Sequence, residues 1–153
     1  MWTLLLLAIA SPPHVRDDTA RLPTKTLATC GTSTGKNFVT LDGKGEWHDD
    51  GIVGGRLTFT VGNDGGPDVA YSTANDGSIS SIADGGRVQF SREIDGNGEF
   101  GVVVVYPKSG TAETYRVTRL PDGRREVLWT QNKAHVGPGG RFSSAKVFIA
   151  ACD

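Results

Sequence analysis

Three observations predict an all-β protein. Apolar and polar residues alternate with period two through most of the chain, Asp-Gly pairs recur between the alternating runs, and no stretch of ten or more residues shows a 3.6-residue period with helix caps. The expected architecture is an antiparallel meander of about eight strands closing as a small barrel, with a β-sandwich as the alternative. At 153 residues the chain suffices for one domain.

The N-terminal "MWTLLLLAIASPP" places an apolar run, Leu4 to Ala10, ahead of Ala8-Ile9-Ala10-Ser11, a small-x-small pattern of the kind signal peptidase cleaves. No basic residue precedes the run and the segment is short, as a start placed too far downstream would give. A bilayer takes about 20 apolar residues in helical form, so the run does not span one, and an integral membrane protein is not expected. Residues 1–20 are therefore expected to be an export-signal-like segment. The polar, Pro-containing stretch that follows has no periodicity, which makes 21–29 a linker and 30–153 a single β-domain.

Cys30 and Cys152 bracket that domain, and in an oxidising compartment they are expected to pair. A periplasmic or secreted location accounts for both the cysteines and the leader. "LATC" (27–30) is not a lipoprotein site, because Thr29 suits the position poorly and the apolar run lies too far upstream.

Strands are expected at "RLTFTVG" (56–62), with Leu57, Phe59 and Val61 on one face, at "DVAYS" (68–72) and at "RVQF" (87–90). The unbroken Val102–Tyr106 run in "EFGVVVVYP" reads as a central strand covered on both sides. "AETYRVTRL", "REVLWTQ" and "SSAKVFIAAC" continue the series. Asp-Gly pairs begin at Asp42, Asp50, Asp64, Asp76, Asp84, Asp95 and Asp122, and Asp-Gly is the preferred filling of tight two-residue turns. "LPDGRRE" (120–126) is the clearest hairpin.

Charge nearly cancels, with 16 Lys and Arg against 17 Asp and Glu, so nucleic-acid binding is not expected. "GTSTGK" (31–36) has three residues between its glycines where a phosphate loop needs four, and Asn37 stands where magnesium needs a hydroxyl. In "DGNGE" (95–99), Phe100 and Tyr106 occupy the positions where an EF-hand needs Gly and Glu. His48 and His135 are the histidines beyond the linker, too few for a tight zinc site, so neither metal nor cofactor is expected. No serine sits in a nucleophile elbow. Arg116, Arg119, Arg124 and Arg125 gather at one hairpin, whose tip is expected to be solvated.

"GEWHDDGIVGG" places Trp47, His48, Asp49 and Asp50 side by side. It reads as a polar loop turning at Asp50-Gly51, with Trp47 plugging a barrel end. In extended chain, His48, Asp50 and Glu46 would share a face, as an acid–base pair requires.

"WHDDGIVGG", "VVVVYP", "AETYRVTRLPDGRREVLWTQNK" and the terminal "AAC" give the chain a resemblance to a group of small, uncharacterised exported bacterial single-domain β-proteins. The matching positions are Trp47, Asp49, Asp50, Gly51, Ile52, Tyr106, Pro107, Glu113, Tyr115 and Cys152. The resemblance implies export and a single β-domain, and brings no activity with it.

The first expectation is a non-enzymatic exported domain, monomeric, that binds a small ligand or a surface through Trp47, His48, Asp50, Tyr115, Trp129 and His135. The alternatives are a protein-interaction or inhibitory module, and a hydrolase using His48 with Asp50 or Glu46.

Overall fold

The computed structural model describes residues 23–41, 43–74, 77–137 and 140–153, with backbone only for 23, 24, 135–137 and 140. The leader-like segment lies outside these. Among the described residues, eleven strands form one antiparallel sheet: β1 (Pro23–Cys30), β2 (Ser33–Leu41), β3 (Lys44–Ile52), β4 (Arg56–Gly62), β5 (Pro67–Ser72), β6 (Ile79–Ser80), β7 (Arg87–Arg92), β8 (Phe100–Tyr106), β9 (Thr111–Arg119), β10 (Arg125–Gly137) and β11 (Gly140–Cys152). The described residues contain no helix long and apolar enough to cross a membrane.

Nine strands follow the order β6-β5-β4-β1-β11-β10-β9-β8-β7 and curl into a half-barrel. The fold class is the one the alternation implies, with more strands than expected. Consecutive hairpins build β7 to β11, while β1 departs from the meander by lying between β4 and β11. β11 supports two strands along one edge: Cys152 pairs with Cys30 of β1, and Phe142–Ile149 pair with Thr34–Leu41 of β2. β2 and β3 extend the sheet beside the long β10–β11 hairpin.

Two expectations about this framework are corrected. Pro23–Cys30 is a strand and not linker, because Ala28 and Cys30 are buried in the core and Leu27 packs half-buried against it, while the other positions are Pro, Thr and Lys. That inward face of small residues leaves no apolar alternation to read. The Val102–Tyr106 strand is not covered on both sides, since Val105 is 40% exposed on its outer face.

Tight turns follow the Asp-Gly pairs at several places. In the 120–126 hairpin Gly123 adopts φ +86°, a region that only glycine enters without a Cβ clash, and Gly123 N–H donates to Leu120 O at 2.9 Å. Asp50-Gly51 instead lies inside β3. The chain reverses later, at Val53-Gly54, because β3 stays paired with β2 from Leu41↔Lys44 through to Ser33↔Ile52.

In an antiparallel sheet, residues directly opposite share a face and successive residues alternate. Phe90, Val102, Tyr115, Trp129, Phe148 and Gly35 thus form one inward row across β7, β8, β9, β10, β11 and β2. Gly35 is required there: a Cβ at this position would sit 2.6 Å from the Phe148 ring and closer still to the Val147 carbonyl oxygen. The core is completed by Phe59, Leu57 and Val69 from β4 and β5. Aromatic contacts run from Phe100 to Phe59 (5.4 Å), to Tyr115 (5.4 Å), to Trp129 (5.7 Å) and to Phe148 (4.8 Å between ring centroids).

Candidate functional site

The period-two pattern of β9 places Thr111, Glu113, Tyr115 and Val117 on the inner face, so a carboxylate enters the buried row. Glu113 is only 6% exposed. Tyr115 Oη donates to Glu113 Oε2 at 2.6 Å, and Gln131 Nε2, from the opposite position on β10, donates to Oε1 at 2.5 Å. Both oxygens are thereby engaged by neutral donors. Among the described residues no Lys, Arg or His forms an ion pair with Glu113.

These three side chains form one wall of a cavity of about 290 Å³ beneath the half-barrel. Trp129 and Tyr106 continue that wall, Ile52, Leu57 and Tyr71 line it from β3 to β5, and Ile79, Ser80, Ser81 and Asp84 form its rim. The rim is organised by Asp68: Ser80 Oγ donates to Asp68 Oδ2 at 2.5 Å, and the amide N–H of Ile82 reaches Oδ1. Tyr106 Oη donates to Ser81 Oγ at 2.9 Å, tying the rim to β8. The indole N–H of Trp129 is buried without an acceptor among the described residues.

Burial pushes the Tyr115 phenol far above its ordinary range, and the neighbouring Glu113 carboxylate pushes it further. Burial also raises Tyr106, with the charges of Glu113, Asp84 and Asp68 acting in the same direction against the Ser81 hydrogen bond. Both are therefore neutral hydroxyls across the physiological range. In each case the folded value lies above the unfolded one of 10.0, so the folded state holds its protons longer. Their contribution to stability is complete below that pH and is lost as pH rises beyond it. Ultraviolet titration of the native protein should show Tyr106 and Tyr115 failing to ionise at the ordinary tyrosine value, and denaturant titrations should show stability falling above it.

Of the residues singled out in the sequence, Tyr115 and Trp129 meet in this cavity. His48 and Asp50 share the inner face of the sheet but stand on β3, with β2 and β11 between them and β10. Lys146 Nζ lies 3.0 Å from Asp50 Oδ2, so this carboxylate already has a cationic partner. Among the described residues no hydrogen bond joins His48 to Asp50 or Glu46. Trp47 points to the opposite face and is no barrel-end plug. It is 62% exposed, its ring 5.0 Å from that of Phe38, because β3 is an edge strand lying outside the half-barrel. His135 pairs with Phe142 in the β10–β11 ladder, and its side chain lies outside the described residues.

The remaining polar clusters are structural. Asp95 accepts the N–H groups of Asn97 and Glu99, and Arg92 bridges Asp95 (2.7 Å) and Glu99 (3.3 Å), so this oxygen-rich loop carries its own cation. The described residues contain no grouping of His, Cys, Asp and Glu able to hold a metal ion. Arg124 pairs with Asp122, Arg119 donates to the Asn97 and Gly123 carbonyls, and Arg125 donates to the carbonyl oxygens of Leu27 and Asp153. The hairpin arginines thus secure neighbouring loops and the chain end.

Glu113, Gln131 and Tyr106 were not among the expected site residues. For Glu113 the signal was present: a charge on the same alternating face as Tyr115 and Val117 must be buried with them. Gln131 and the rim become visible only through pairing across strands.

No protein-family model matches the chain, and no curated protein matches it. What the cavity can hold follows from its own chemistry.

Proposed function

We propose that the protein is a periplasmic or secreted, non-enzymatic binding domain that takes a small ligand into the cavity beneath its half-barrel. The observation that carries this reading is the Tyr115–Glu113–Gln131 network, a buried polar constellation on the wall of a cavity that Ile52, Leu57 and aromatic rings also line, with a polar rim of Ser80, Ser81 and Asp84. Buried polar groups cost folding energy unless satisfied, and a mostly apolar cavity with a few fixed polar groups is the usual form of a small-molecule site. The Cys30–Cys152 disulfide, with its Sγ atoms 2.01 Å apart, suits an oxidising compartment.

The test is thermal unfolding of the oxidised full chain against amines, sugars, lipids, nucleotides and metal salts. A compound that binds only the folded form stabilises it by about 2.7 kcal/mol at a hundredfold excess over its Kd. The stabilisation should disappear in Ile79→Trp, which places an indole at the cavity rim where the native side chain is 55% exposed, while the unliganded melting temperature stays unchanged. Stabilisation that survives this substitution would place the ligand elsewhere.

A second reading, a protein-interaction module, is favoured by one observation. Leu128 and Ile149 pair across β10 and β11 on the outer face, and with Val147 they leave three neighbouring apolar side chains 42–46% exposed.

A further inference from the structure

The cavity's electrostatics narrow the class of ligand. Among the described residues its lining carries two carboxylates, Glu113 and Asp84, and no Lys, Arg or His. Lys146, the nearest cation along the Glu113–Gln131 row, lies on the far side of Gln131 and is held by Asp50. Burying a carboxylate without a counter-charge is costly, and an unpaired buried charge is far less favourable than one matched by a cation. Neutral donors from Tyr115 and Gln131 orient the carboxylate but bring no positive charge to it.

The aromatic lining points in the same direction. Tyr71, Tyr106, Tyr115 and Trp129 border the space beside that carboxylate, and aromatic faces attract cations through their quadrupoles.

Resting on the binding reading above, we propose that the ligand is a small organic ammonium ion, its charged nitrogen set against Glu113 and its apolar body among Ile52, Leu57 and the aromatic side chains. Asp84 at the rim adds long-range attraction for a cation. The site discriminates by charge: an apolar compound of the same size without the ammonium group leaves the carboxylate uncompensated, and an anion meets repulsion.

A matched series tests this with the oxidised full chain: n-hexylammonium, 1-hexanol and hexanoate, titrated and followed by the amide and indole N–H resonances in nitrogen-15 NMR. Hexylammonium should shift the Trp129 indole and the Glu113 and Gln131 amides, binding roughly tenfold more tightly than hexanol, with hexanoate weaker still. Glu113→Gln, which keeps the side chain's shape and replaces one acceptor oxygen by an NH2 donor that a flipped Gln131 amide can accept, should abolish the preference for hexylammonium while hexanol still binds. Asp84→Asn changes an exposed side chain at no cost to folding, and should weaken hexylammonium about twofold to threefold and lessen its salt dependence. Equal or tighter binding of hexanol or hexanoate, or a preference unchanged in both variants, would overturn the cation assignment and leave a binding cavity for a neutral or anionic ligand. Failure of all three compounds to shift any cavity resonance at millimolar concentration would overturn the binding reading itself.

Discussion

Replacing Cys30 and Cys152 together by alanine is expected to lower the melting temperature by roughly 10–20 °C. The bond joins residues 122 apart, and in the chain-entropy model closing a loop of that size stabilises the folded state by about 5 kcal/mol. For a chain of this length each kcal/mol moves the midpoint by about 2–4 °C. The topology makes the loss more than a matter of denatured-chain entropy. Among the described residues, β6, β5, β4 and β1 are paired by backbone to the remaining strands of the half-barrel only where β1 meets β11, and that ladder contains the single pair Cys30↔Cys152; elsewhere the two parts meet through side chains, such as Phe59 on Phe100 and Tyr115. Around it lie a few hydrogen bonds: Gly31 N–H to Ala151 O and Asp153 N–H to Thr29 O, both 3.0 Å, and Arg125 Nη1 to Leu27 O at 2.9 Å. Calorimetry of the double variant, and of the wild type with and without reductant, should give the same shift. A fall of less than about 5 °C would mean that side-chain packing, and not the covalent link, unites the two parts of the sheet.

The elements legible in the sequence are those whose inner faces are filled with large apolar residues. Leu57, Phe59 and Val61 announced β4 at its true bounds, Arg56–Gly62, and Val88 with Phe90 announced β7. β1 and β3 were not legible, for opposite reasons. β1 fully buries only the small side chains of Ala28 and Cys30, and Leu27, half-buried against the core, sits at a register shift between Thr26 and Ala28 that breaks the alternation. β3 is a strand because it completes a hairpin with β2, and its exposed edge needs no apolar face, so Glu46, Trp47, His48, Asp49 and Asp50 looked like loop chemistry. The same blind spot governs the site. Tyr115 and Trp129 stood out as aromatics, whereas Gln131 acquires its meaning from the residue opposite it, and the rim residues Ser80, Ser81 and Asp84 from a fold-back of β6 onto β5. Cross-strand neighbours are set by register, which period-two patterning within one strand does not encode.

Phe59→Ala is the second substitution with a large expected effect, and it connects the core to the cavity. Phe59 is fully buried on β4, between Ala28 of β1 and Val69 of β5 in the sheet, and its ring meets Phe100 and Tyr115 edge-on, each at 5.4 Å. Truncation removes the aromatic pairs and leaves a void that close-packed neighbours fill only in part, a cost of about 3–5 kcal/mol. Chemical denaturation should show a lower midpoint with an unchanged slope, since the surface exposed on unfolding is nearly the same. Phe59→Leu, which refills most of the volume, should recover a large share of that loss. The effect does not stop at stability. Phe59 packs against the ring of the tyrosine whose hydroxyl orients Glu113, so in Phe59→Ala the carboxylate loses a fixed partner and the cavity wall loosens. Ligand affinity should therefore fall in Phe59→Ala under conditions where the variant is still fully folded, and return in Phe59→Leu. A variant destabilised by several kcal/mol yet binding as tightly as the wild type would show that Tyr115 and Glu113 are positioned by β10 alone.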